Sequence, residues 1–444
     1  MPMTDHIART AGPVQEAHTA TELAGAIHTE KLSALDAVEA CLANTAHLEG
    51  DVKAWIHLDA DGARQRARDF DDMARSDPRR EGLMAGVPIG LKDNIDTADI
   101  PTAYGTGIYT DARPFRDAAC VAQMRLAGAN PLGKTASTEF AHRHPGATRN
   151  PWELNHTPGG SSSGSAAAVA AGMVPVALGT QTTGSVIRPA AYCGVFGYKP
   201  SFGDIKVSGV LANTPSFDTV GIMARCVDDL LLVRRAILDE SVSPAPVPDP
   251  QSLRIGICRT PYWDEAEADM KQLLEQAGAE LERAGASVFD FHDQGAFVSL
   301  DEANITVSGY EFARTLAFER MRHYDKLSPV LREGRMADGL RVTYAEYAAA
   351  QRRLAESRTQ LDHAFHNVDF VITPPSPGAA PAGIEFTGSA TFNQIWTSMH
   401  TPAITLPISR NAAGLPLGLQ IANSRYGDDK LLAIARWVAR TLMT

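Results

Sequence analysis

The chain has 444 residues, 44% of them hydrophobic, which is enough to bury a large core. Its 41 Lys and Arg residues stand against 52 Asp and Glu residues, so the net charge is −11, and the acidic residues are spread along the chain. This charge argues against nucleic acids and anionic membranes as partners.

The N-terminal residues and the cysteines indicate the compartment of the protein. Residues 1–15 include charged side chains and a proline but no apolar stretch of the kind that a signal peptide requires. The five cysteines are scattered singly, without a CxxC pair. We therefore expect a cytoplasmic protein with reduced core thiols and no membrane attachment.

The first predicted elements are two helices and a buried strand. Residues 20–48 alternate apolar and polar side chains at helical spacing, and Ser33 with Asp36 forms the pattern of a capping box at the start of the second helix. Residues 86–95, GVPIGLKDNI, are then typical of a short buried strand. Because the uncharged run stops at Lys92, the sequence predicts a lysine near the end of a core element.

Residues 154–187 contain no Asp, Glu, Lys or Arg. Glycine and proline interrupt this segment too often for a membrane span, and its apolar middle does not fit a flexible linker. We expect it to be buried and to contain, in order, a loop at 159–164, a helix capped near Ser165, a strand at 174–178 and a loop at 180–185. Ser161 and Ser185, 24 residues apart, then lie on two glycine-flanked loops.

The second half of the chain alternates strands and helices. A proline-rich stretch at 241–250 is typical of a surface connection within a single domain that spans residues 1–444. The predicted elements after it are a strand, a helix and a strand at 253–258, 264–284 and 287–291, a mainly helical region at 304–366 with a capping box at Thr343 and Glu346, and a last core strand near 368–373. Such alternation predicts an α/β fold whose sheet is covered by helices on both faces.

Two short motifs suggest other functions only weakly. Residues 128–135, GANPLGKT, satisfy the phosphate-binding P-loop pattern, but a helical pattern precedes them where a P-loop needs a strand, and no helical period follows. His142 and His144 form an H-x-H pair without the further ligands of a zinc site. We interpret the P-loop match as accidental and the histidines as surface or packing residues.

The two serines need a base if they act as nucleophiles. Neither lies in the G-x-S-x-G motif of a Ser–His–Asp hydrolase. Lys92 is the other candidate, because burial disfavours the charged ammonium group and lowers its pKa. The ordinary interpretation of a single lysine is a surface cation.

Six sequence blocks carry a resemblance to a known family. They are GVPIGLKDNID at 86–96, GKTASTEFA at 133–141, PGGSSSGSAAAVAAG at 158–172, GTQTTGSVIRPAAYCGVFGYKPS at 179–201, FDTVGIMARCVDDL at 217–230 and TPAITLPISRNAAGLPLGLQIA at 401–422. Together they resemble the amidase signature family, and the resemblance extends from about residue 20 to the C-terminus. It implies the fold of that family, a single large mixed sheet between layers of helices.

The resemblance also implies catalytic roles. In that family the triad is Ser, cis-Ser and Lys, and its pattern falls on Ser185, Ser161 and Lys92. Ser185 is then the nucleophile that forms an acyl-enzyme. Ser161, in a bend formed with Gly159 and Gly160, relays the proton of Ser185 to neutral Lys92. The oxyanion hole consists of backbone N–H groups, those of Thr182, Thr183, Gly184 and Ser185. No metal or organic cofactor is implied.

The chain departs from the family pattern beside Ser185. The common pattern is GTDxGGS followed by Ile-Arg, whereas here Gln181 replaces the Asp, Thr183 replaces a Gly and Arg188 lies one position later. We expect neutral hydrogen bonds of Gln181 to replace an ion pair behind the nucleophile. Thr183 is expected to narrow the loop while keeping its N–H donors.

The function implied by the resemblance is hydrolysis of C–N bonds in small-molecule amides or carbamates (urethanes), by a monomer or homodimer. Several aromatic residues are candidates for an apolar substrate pocket, namely Tyr104, Phe217, Phe386, Phe392 and Trp396. Three alternatives stay open: an amidotransferase A-type subunit that works with a partner chain, a P-loop nucleotide binder, and a catalytically inactive scaffold.

Overall fold

The structure, a computed structural model, describes residues 17–74, 76–239 and 245–443. Within these residues eleven strands form one sheet: β1 (Trp55–Leu58), β2 (Pro88–Lys92), β3 (Asn130–Thr135), β4 (Val176–Gln181), β5 (Phe196–Lys199), β6 (Thr219–Ala224), β7 (Arg254–Ile257), β8 (Ser287–Asp290), β9 (Phe370–Thr373), β10 (Ala403–Arg410) and β11 (Pro416–Ala422). The same ranges contain fourteen α-helices: α1 (Ala20–His28), α2 (Ala34–Val52), α3 (Ala60–Asp71), α4 (Ala119–Leu126), α5 (Ser163–Ala170), α6 (Ile187–Cys193), α7 (Val227–Leu238), α8 (Ala268–Arg283), α9 (Leu300–Thr315), α10 (Ala317–Arg322), α11 (Met336–Arg341), α12 (Tyr344–Ala364), α13 (Thr391–Ser398) and α14 (Asp428–Leu442).

The sheet is mixed, with the strand order β1-β3-β2-β4-β6-β5-β10-β11-β9-β7-β8. β2 lies between β3 and β4 and runs parallel to both. From β4 through β6, β5, β10 and β11 to β9 the neighbours are antiparallel, and β7 then runs parallel to β9 and β8. Strands from near both ends of the described chain therefore belong to the same sheet.

Helices pack on the sheet, and its central strands β2, β4 and β6 are buried at every position, so both faces are covered and the predicted α/β fold is confirmed. α5 and α6 pack against each other, and α5 lies on β2, β3 and β4. α7 and α14 form another packed pair, with α7 on β6 and α14 on β10. The buried apolar side chains of the strands and of these helices form the largest hydrophobic cluster, which holds the central strands rigidly in place.

Two helix starts match the predicted capping boxes. At the start of α2, the Ser33 hydroxyl accepts from the N–H of Asp36 while the Asp36 carboxylate accepts from the N–H of Ser33. Thr343 and Glu346 make the same exchange at the start of α12. The predicted strand, helix and strand after the proline-rich stretch are present as β7, α8 and β8.

The helix in the uncharged segment begins earlier than predicted. α5 starts at Ser163, and Ser162 occupies the cap position without capping the helix through its side chain. The Ser162 hydroxyl instead exchanges hydrogen bonds with the backbone of Thr180, both at 3.3 Å. Ser165, the predicted cap, lies inside the helix and donates to Leu178 O at 3.0 Å. Contacts with the neighbouring strand thus decide where this helix begins.

The uncharged segment is buried, as predicted. From residue 157 to residue 187, only Thr183 is partly exposed. Its strand, β4, ends at Gln181 rather than near residue 178, because the antiparallel pairing with β6 continues to that residue. The segment therefore brings its second glycine-flanked loop to the end of a central strand.

The strand predicted at 368–373 is present as β9, but it is not the last strand. β10 and β11 follow it as an antiparallel pair and lie between β5 and β9 in the sheet. β10 contains Pro407, which lacks the N–H donor that a ladder requires, and the pairing shifts register between Leu406 and Ser409. The proline explains why the sequence pattern did not predict a strand here.

The segment that matches the P-loop pattern forms part of the sheet. The lysine of the pattern, Lys134, lies in β3 rather than at the start of a helix. Its buried Nζ donates to Thr102 Oγ1 at 2.8 Å and also to Ile95 O. An extended strand offers no phosphate cradle, so this match is accidental.

All five cysteines are buried, and none forms a disulfide. Residues 245–249 of the proline-rich stretch have no regular secondary structure, whereas residues 241–244 and 1–15 lie outside the described residues. None of the described helices is both long and apolar enough to cross a membrane.

Candidate active site

Two neighbouring parallel strands bring a lysine and a serine loop to one edge of the sheet. β2 ends at Lys92 and β4 ends at Gln181, and Leu91 pairs with Leu178 between them. Because the strands run in the same direction, their carboxyl ends lie side by side. The loop that follows β4, residues 182–185, therefore begins next to Lys92.

Lys92 is fully buried at the end of β2. Its Nζ lies 2.7 Å from Ser161 Oγ and 2.8 Å from Thr180 Oγ1, both within hydrogen-bond distance. Burial lowers the pKa of Lys92 to about 7, and the charge of Asp218 opposes that shift only in part. A substantial fraction of this amine is therefore neutral at neutral pH and able to accept a proton.

Ser161 follows a cis peptide bond, Gly160–Ser161, in the loop that precedes α5. Gly159 has a φ of +80°, and a Cβ on it would lie 2.7 Å from Pro189 Cα, so this position requires glycine. Ser161 is only 2% exposed. The bend thus holds the serine hydroxyl against the Lys92 amine.

Ser185 lies in the loop between β4 and α6 and is 9% exposed. Within the described chain, the N–H groups of Thr183, Gly184 and Ser185 donate to no other protein atom. Gly184 is required here, because a Cβ would lie 2.4 Å from Asn393 Oδ1. The loop consequently presents free backbone donors beside a serine hydroxyl, as an oxyanion hole requires.

A cavity of about 660 Å³ is lined by both serines. One of its walls is the sheet edge, with Ser161, Thr182, Thr183 and Ser185. The opposite wall comes from α9 and from residues in and around α11, including Ser308 and Arg335. The volume suits a small organic molecule.

Gln181 supports the serine loop through neutral hydrogen bonds, as expected from the sequence. The residue is fully buried, and its Oε1 accepts from Val186 N at 2.8 Å and from Ile187 N at 3.0 Å. Its Nε2 donates to Thr397 Oγ1 at 2.9 Å, and that hydroxyl donates to Thr183 O at 2.7 Å. One uncharged side chain thus fixes both the loop and the start of α6.

We expect Gln181→Leu to lower the free energy of unfolding by about 2 kcal/mol, since two buried N–H groups lose their acceptor. The matched variant Gln181→Glu keeps an oxygen for both donors and should retain more of the stability. Chemical denaturation of the two variants measures the difference. Equal losses would show that the acceptor oxygen is not what secures the start of α6.

Arg188 lies on the cavity side of α6 rather than behind the nucleophile. Its Nη2 donates to Gly160 O at 2.5 Å and to Thr387 Oγ1 at 3.4 Å. None of the ion pairs formed among the described residues includes it. Arg188 lies one position later than the arginine of the family pattern. Its side chain therefore lies at the cavity and not in an ion pair in the core.

The aromatic residues considered for a substrate pocket do not line this cavity. Three of them are fully buried in the hydrophobic core, Phe217, Phe392 and Trp396. Tyr104 is half-buried, and its hydroxyl donates to Asp96. Phe386 is exposed to solvent and lies outside the cavity lining. Large rings gain most from burial in a core, and sequence alone does not separate that role from a pocket wall.

Sequence reasoning missed several polar residues that support the site. Asn94 Nδ2 donates to Thr180 Oγ1 at 3.0 Å, and Thr182 Oγ1 donates to Asp218 Oδ1 at 2.5 Å. The only signal in the sequence for this supporting network was the position of Thr180 in the uncharged segment. His142 also lines the cavity, where burial lowers its pKa, whereas His144 is exposed.

The comparisons with known proteins define the class of the protein as that of the amidohydrolases. The model of the amidase family matches residues 36–432. The A-type subunit of glutamyl-tRNA(Gln) amidotransferase from Anaeromyxobacter dehalogenans (strain 2CP-C) is 32% identical, with 95% of each chain covered. A crystal structure of an amidase has a TM-score of 0.87 at 27% identity, covering 96% of this chain and 100% of the other. The peptide amidase PAM, in complex with the competitive inhibitor chymostatin, has a TM-score of 0.80 at 30% identity, covering 95% and 97%. The chain belongs to the amidase family.

Proposed function

We propose that the protein hydrolyses C–N bonds of small amides or carbamates through an acyl-enzyme on Ser185, with Ser161 as relay and Lys92 as base. One observation carries the proposal. A fully buried lysine whose pKa is about 7 lies 2.7 Å from Ser161 Oγ, at a cavity that Ser185 also lines. A lysine exposed to water is protonated at neutral pH and has no lone pair to offer.

Acylation begins with attack of Ser185 Oγ on the carbonyl carbon of the substrate. The hydroxyl proton passes to Ser161 Oγ, whose own proton passes to Lys92 Nζ, so the pair of serines carries one proton to the amine. The C–N bond then breaks, and the leaving nitrogen takes that proton back through Ser161. The acyl group stays on Ser185 as an ester.

The oxyanion of the tetrahedral intermediate is stabilised by the loop after β4. The N–H groups of Thr183, Gly184 and Ser185 have no competing acceptor within the described residues, and that of Thr182 completes the proposed set. Each donor of this kind contributes about 3–4 kcal/mol to transition-state stabilisation. Because the donors belong to the backbone, they need no rearrangement when charge develops.

Deacylation repeats these steps with water. Water loses a proton through Ser161 to Lys92, attacks the acyl carbon and releases the acid as Ser185 regains its hydrogen. Amides and carbamates both present a carbonyl bonded to nitrogen, so the same residues serve either substrate.

The rate should depend on pH through Lys92. Because burial lowers the pKa of Lys92 to about 7, the neutral amine predominates above that pH and the ammonium form below it. We expect kcat/KM for a neutral amide to rise with pH and to level off above this pKa. A pH profile of initial rates measures this rising part of the curve, the rising limb. A rate that is constant from about pH 5 to about pH 9 would contradict lysine as the base.

A matched substrate panel tests the proposed activity. It contains anilides, primary amides, esters and aryl carbamates, assayed with purified protein alongside labelling by a fluorophosphonate probe. Turnover of a compound with a C–N bond, together with labelling, supports the hydrolase and separates amide from carbamate preference. Absence of both turnover and labelling would favour an inactive scaffold.

The sequence relatives support a second candidate function, that of an amidotransferase A-type subunit. The relative from Anaeromyxobacter is named as such and matches over nearly its whole length. In that case the amide would be cleaved in a complex with a partner chain that binds tRNA, as the name of the relative implies. Co-purification of a second chain, with glutamine hydrolysis that depends on it, would favour this function over a free-standing hydrolase.

A further inference from the structure

His142 is an uncharged hydrogen-bonding group on the wall of the cavity. Its half-buried ring lines the same cavity as Ser161 and Ser185. Burial lowers the pKa of His142 well below its usual value, and the nearby charges of Arg335 and Arg143 lower it further. The imidazole is therefore neutral at neutral pH, and one ring nitrogen carries a proton while the other carries a lone pair.

Arg335 decides which of the two nitrogens carries that proton. Its Nη1 lies 3.5 Å from His142 Nδ1. A guanidinium has donors but no acceptor, so Nδ1 presents its lone pair to Arg335. The proton then lies on Nε2, which has no hydrogen-bond partner among the described residues. His142 thus offers one uncharged N–H donor to a ligand in the cavity.

Neighbouring side chains fix both members of this pair. Arg335 donates to Asn213 Oδ1 at 2.9 Å and to Thr214 Oγ1 at 2.5 Å, which holds its guanidinium in place. The ring of His142 lies against that of Phe312, with the two centroids 5.1 Å apart. Because the ring is packed on one side and faces a fixed cation at Nδ1, a ligand meets the Nε2–H in a defined orientation.

The backbone before His142 has an uncommon conformation. Phe140 and Ala141 both lie in the left-handed region, with φ values of +46° and +55°. Residues with a side chain rarely adopt this conformation, and it is found most often in segments that serve a ligand or a reaction. Hydrogen bonds hold the turn, since Phe140 N donates to Tyr104 O at 2.9 Å and His142 N donates to Glu139 O at 2.9 Å. These bonds keep His142 at the cavity wall.

His142 belongs to the Ser161 side of the site. Thr138 connects the two residues, because its N–H donates to Ser161 O at 3.2 Å and its hydroxyl donates to His142 O. In the proposed mechanism Ser161 returns the proton to the leaving nitrogen, so the amine part of the substrate lies on this side. The Nε2–H is therefore a donor for the amine part rather than for the acyl part.

We propose that His142, through its Nε2–H, binds an uncharged acceptor oxygen such as a carbonyl in the amine part of the substrate. This inference rests on the proposed function, because it names a substrate class for the same site. A carbonyl oxygen satisfies a neutral N–H without burying a charge. An alkyl group in its place would displace water and leave the N–H unpaired, which is unfavourable.

Two amides with the same acyl group test this substrate class. N-acetonylacetamide has a ketone in its amine part, and N-isobutylacetamide has a methyl group in place of the ketone oxygen. Both form the same acetyl-enzyme and release acetate, so their kcat/KM values differ only through the amine. The wild-type protein should prefer the ketone by about 10-fold, the range of one hydrogen bond to a donor that is otherwise left unpaired. His142→Phe should abolish that preference.

Two further variants separate loss of recognition from loss of structure. His142→Gln keeps an N–H donor and should retain part of the preference. His144→Phe replaces the exposed histidine of the same H-x-H pair and should leave the preference unchanged. A preference that persists in His142→Phe, or that is lost equally in His144→Phe, would overturn the assignment to His142.

The pH dependence of the preference tests whether the donor is neutral. The rising limb that Lys92 causes affects both amides equally, so it cancels in the ratio of their kcat/KM values. Because the pKa of His142 is far below its usual value, this ratio should be constant from about pH 6 to about pH 9. A ratio that increases as the pH falls would indicate a cationic ring and would contradict the inference.

NMR distinguishes failure of this inference from failure of the proposed function. Ser185→Ala protein with isotope-labelled histidine requires no turnover, and addition of His142→Phe identifies the ring signals of His142. We expect a lone pair on Nδ1, a proton on Nε2, and a shift of the Nε2 signal with N-acetonylacetamide but not with N-isobutylacetamide. That result supports the inference even if neither amide is hydrolysed. Equal hydrolysis of the two amides by the wild-type protein overturns the inference and leaves the hydrolase standing.

Discussion

Replacing Ser185 with Ala is expected to lower kcat for amide hydrolysis by at least about 10,000-fold. The Oγ of Ser185 forms the acyl bond in the proposed mechanism, and the remaining residues can only orient the substrate and stabilise charge. The loop itself is held by Gln181 rather than by the Ser185 hydroxyl, so the variant should fold normally. Steady-state release of amine, with a thermal melt of both proteins, measures the effect.

Ser163→Ala provides a matched control for that variant. Ser163 is 4% exposed and belongs to the same uncharged segment, and its Oγ donates to Ala136 O at 3.3 Å. It faces neither Lys92 nor the cavity lining, so activity and fluorophosphonate labelling should remain near those of the wild type. Ser185→Ala should lose both, and turnover by Ser185→Ala at the wild-type rate would refute the acyl-enzyme.

Replacing Lys92 with Met should lower kcat/KM for amides by about 100- to 10,000-fold, the range of general acid–base catalysis. Methionine is similar in length and fills the buried space, but it offers Ser161 no base. Esters should lose less activity than amides, because their leaving group needs less protonation than an amine. The rising limb of the pH profile should also disappear, which a purely structural defect would not cause.

The control for this variant is another buried lysine. Lys199 is also fully buried, and burial lowers its pKa to about 7. Its Nζ donates to Pro200 O at 3.0 Å and to Thr401 O, and it does not line the cavity. Lys199→Met should lower stability while the pH limb persists. If the rising limb of the pH profile disappeared in Lys199→Met but persisted in Lys92→Met, Lys92 would not be the base.

The sequence predicted the sheet edge well because its determinants are local. An uncharged run that ends at Lys92 and a charge-free segment with two glycine-flanked serines both follow from chain composition alone. Burial of these segments was therefore expected, and β2 and β4 have the predicted character. The resemblance to a family supplied the pairing of Lys92 with Ser161, which composition alone did not.

The features that the sequence did not predict depend on contacts between distant parts of the chain. The start of α5 is set by bonds between Ser162 and Thr180, which no local capping rule includes. The aromatic residues were assigned to a pocket because their size suits either a pocket or a core. The environment of Arg188 could not be predicted, since its side chain contacts Gly160 and Thr387, which are distant from it in the sequence.

The two walls of the cavity differ in what supports them. The wall with the serines is formed by the ends of β2 and β4 and the loops beside them, in the middle of the sheet. The opposite wall belongs to α9 and α11. These two helices pack on each other, and α9 also packs on α12. Side chains on α9 and α11 can therefore be exchanged without disturbing a single bond of the strand ladder. For an engineer, this makes the helical wall a site where ligand preference can be varied while the reacting groups keep their positions.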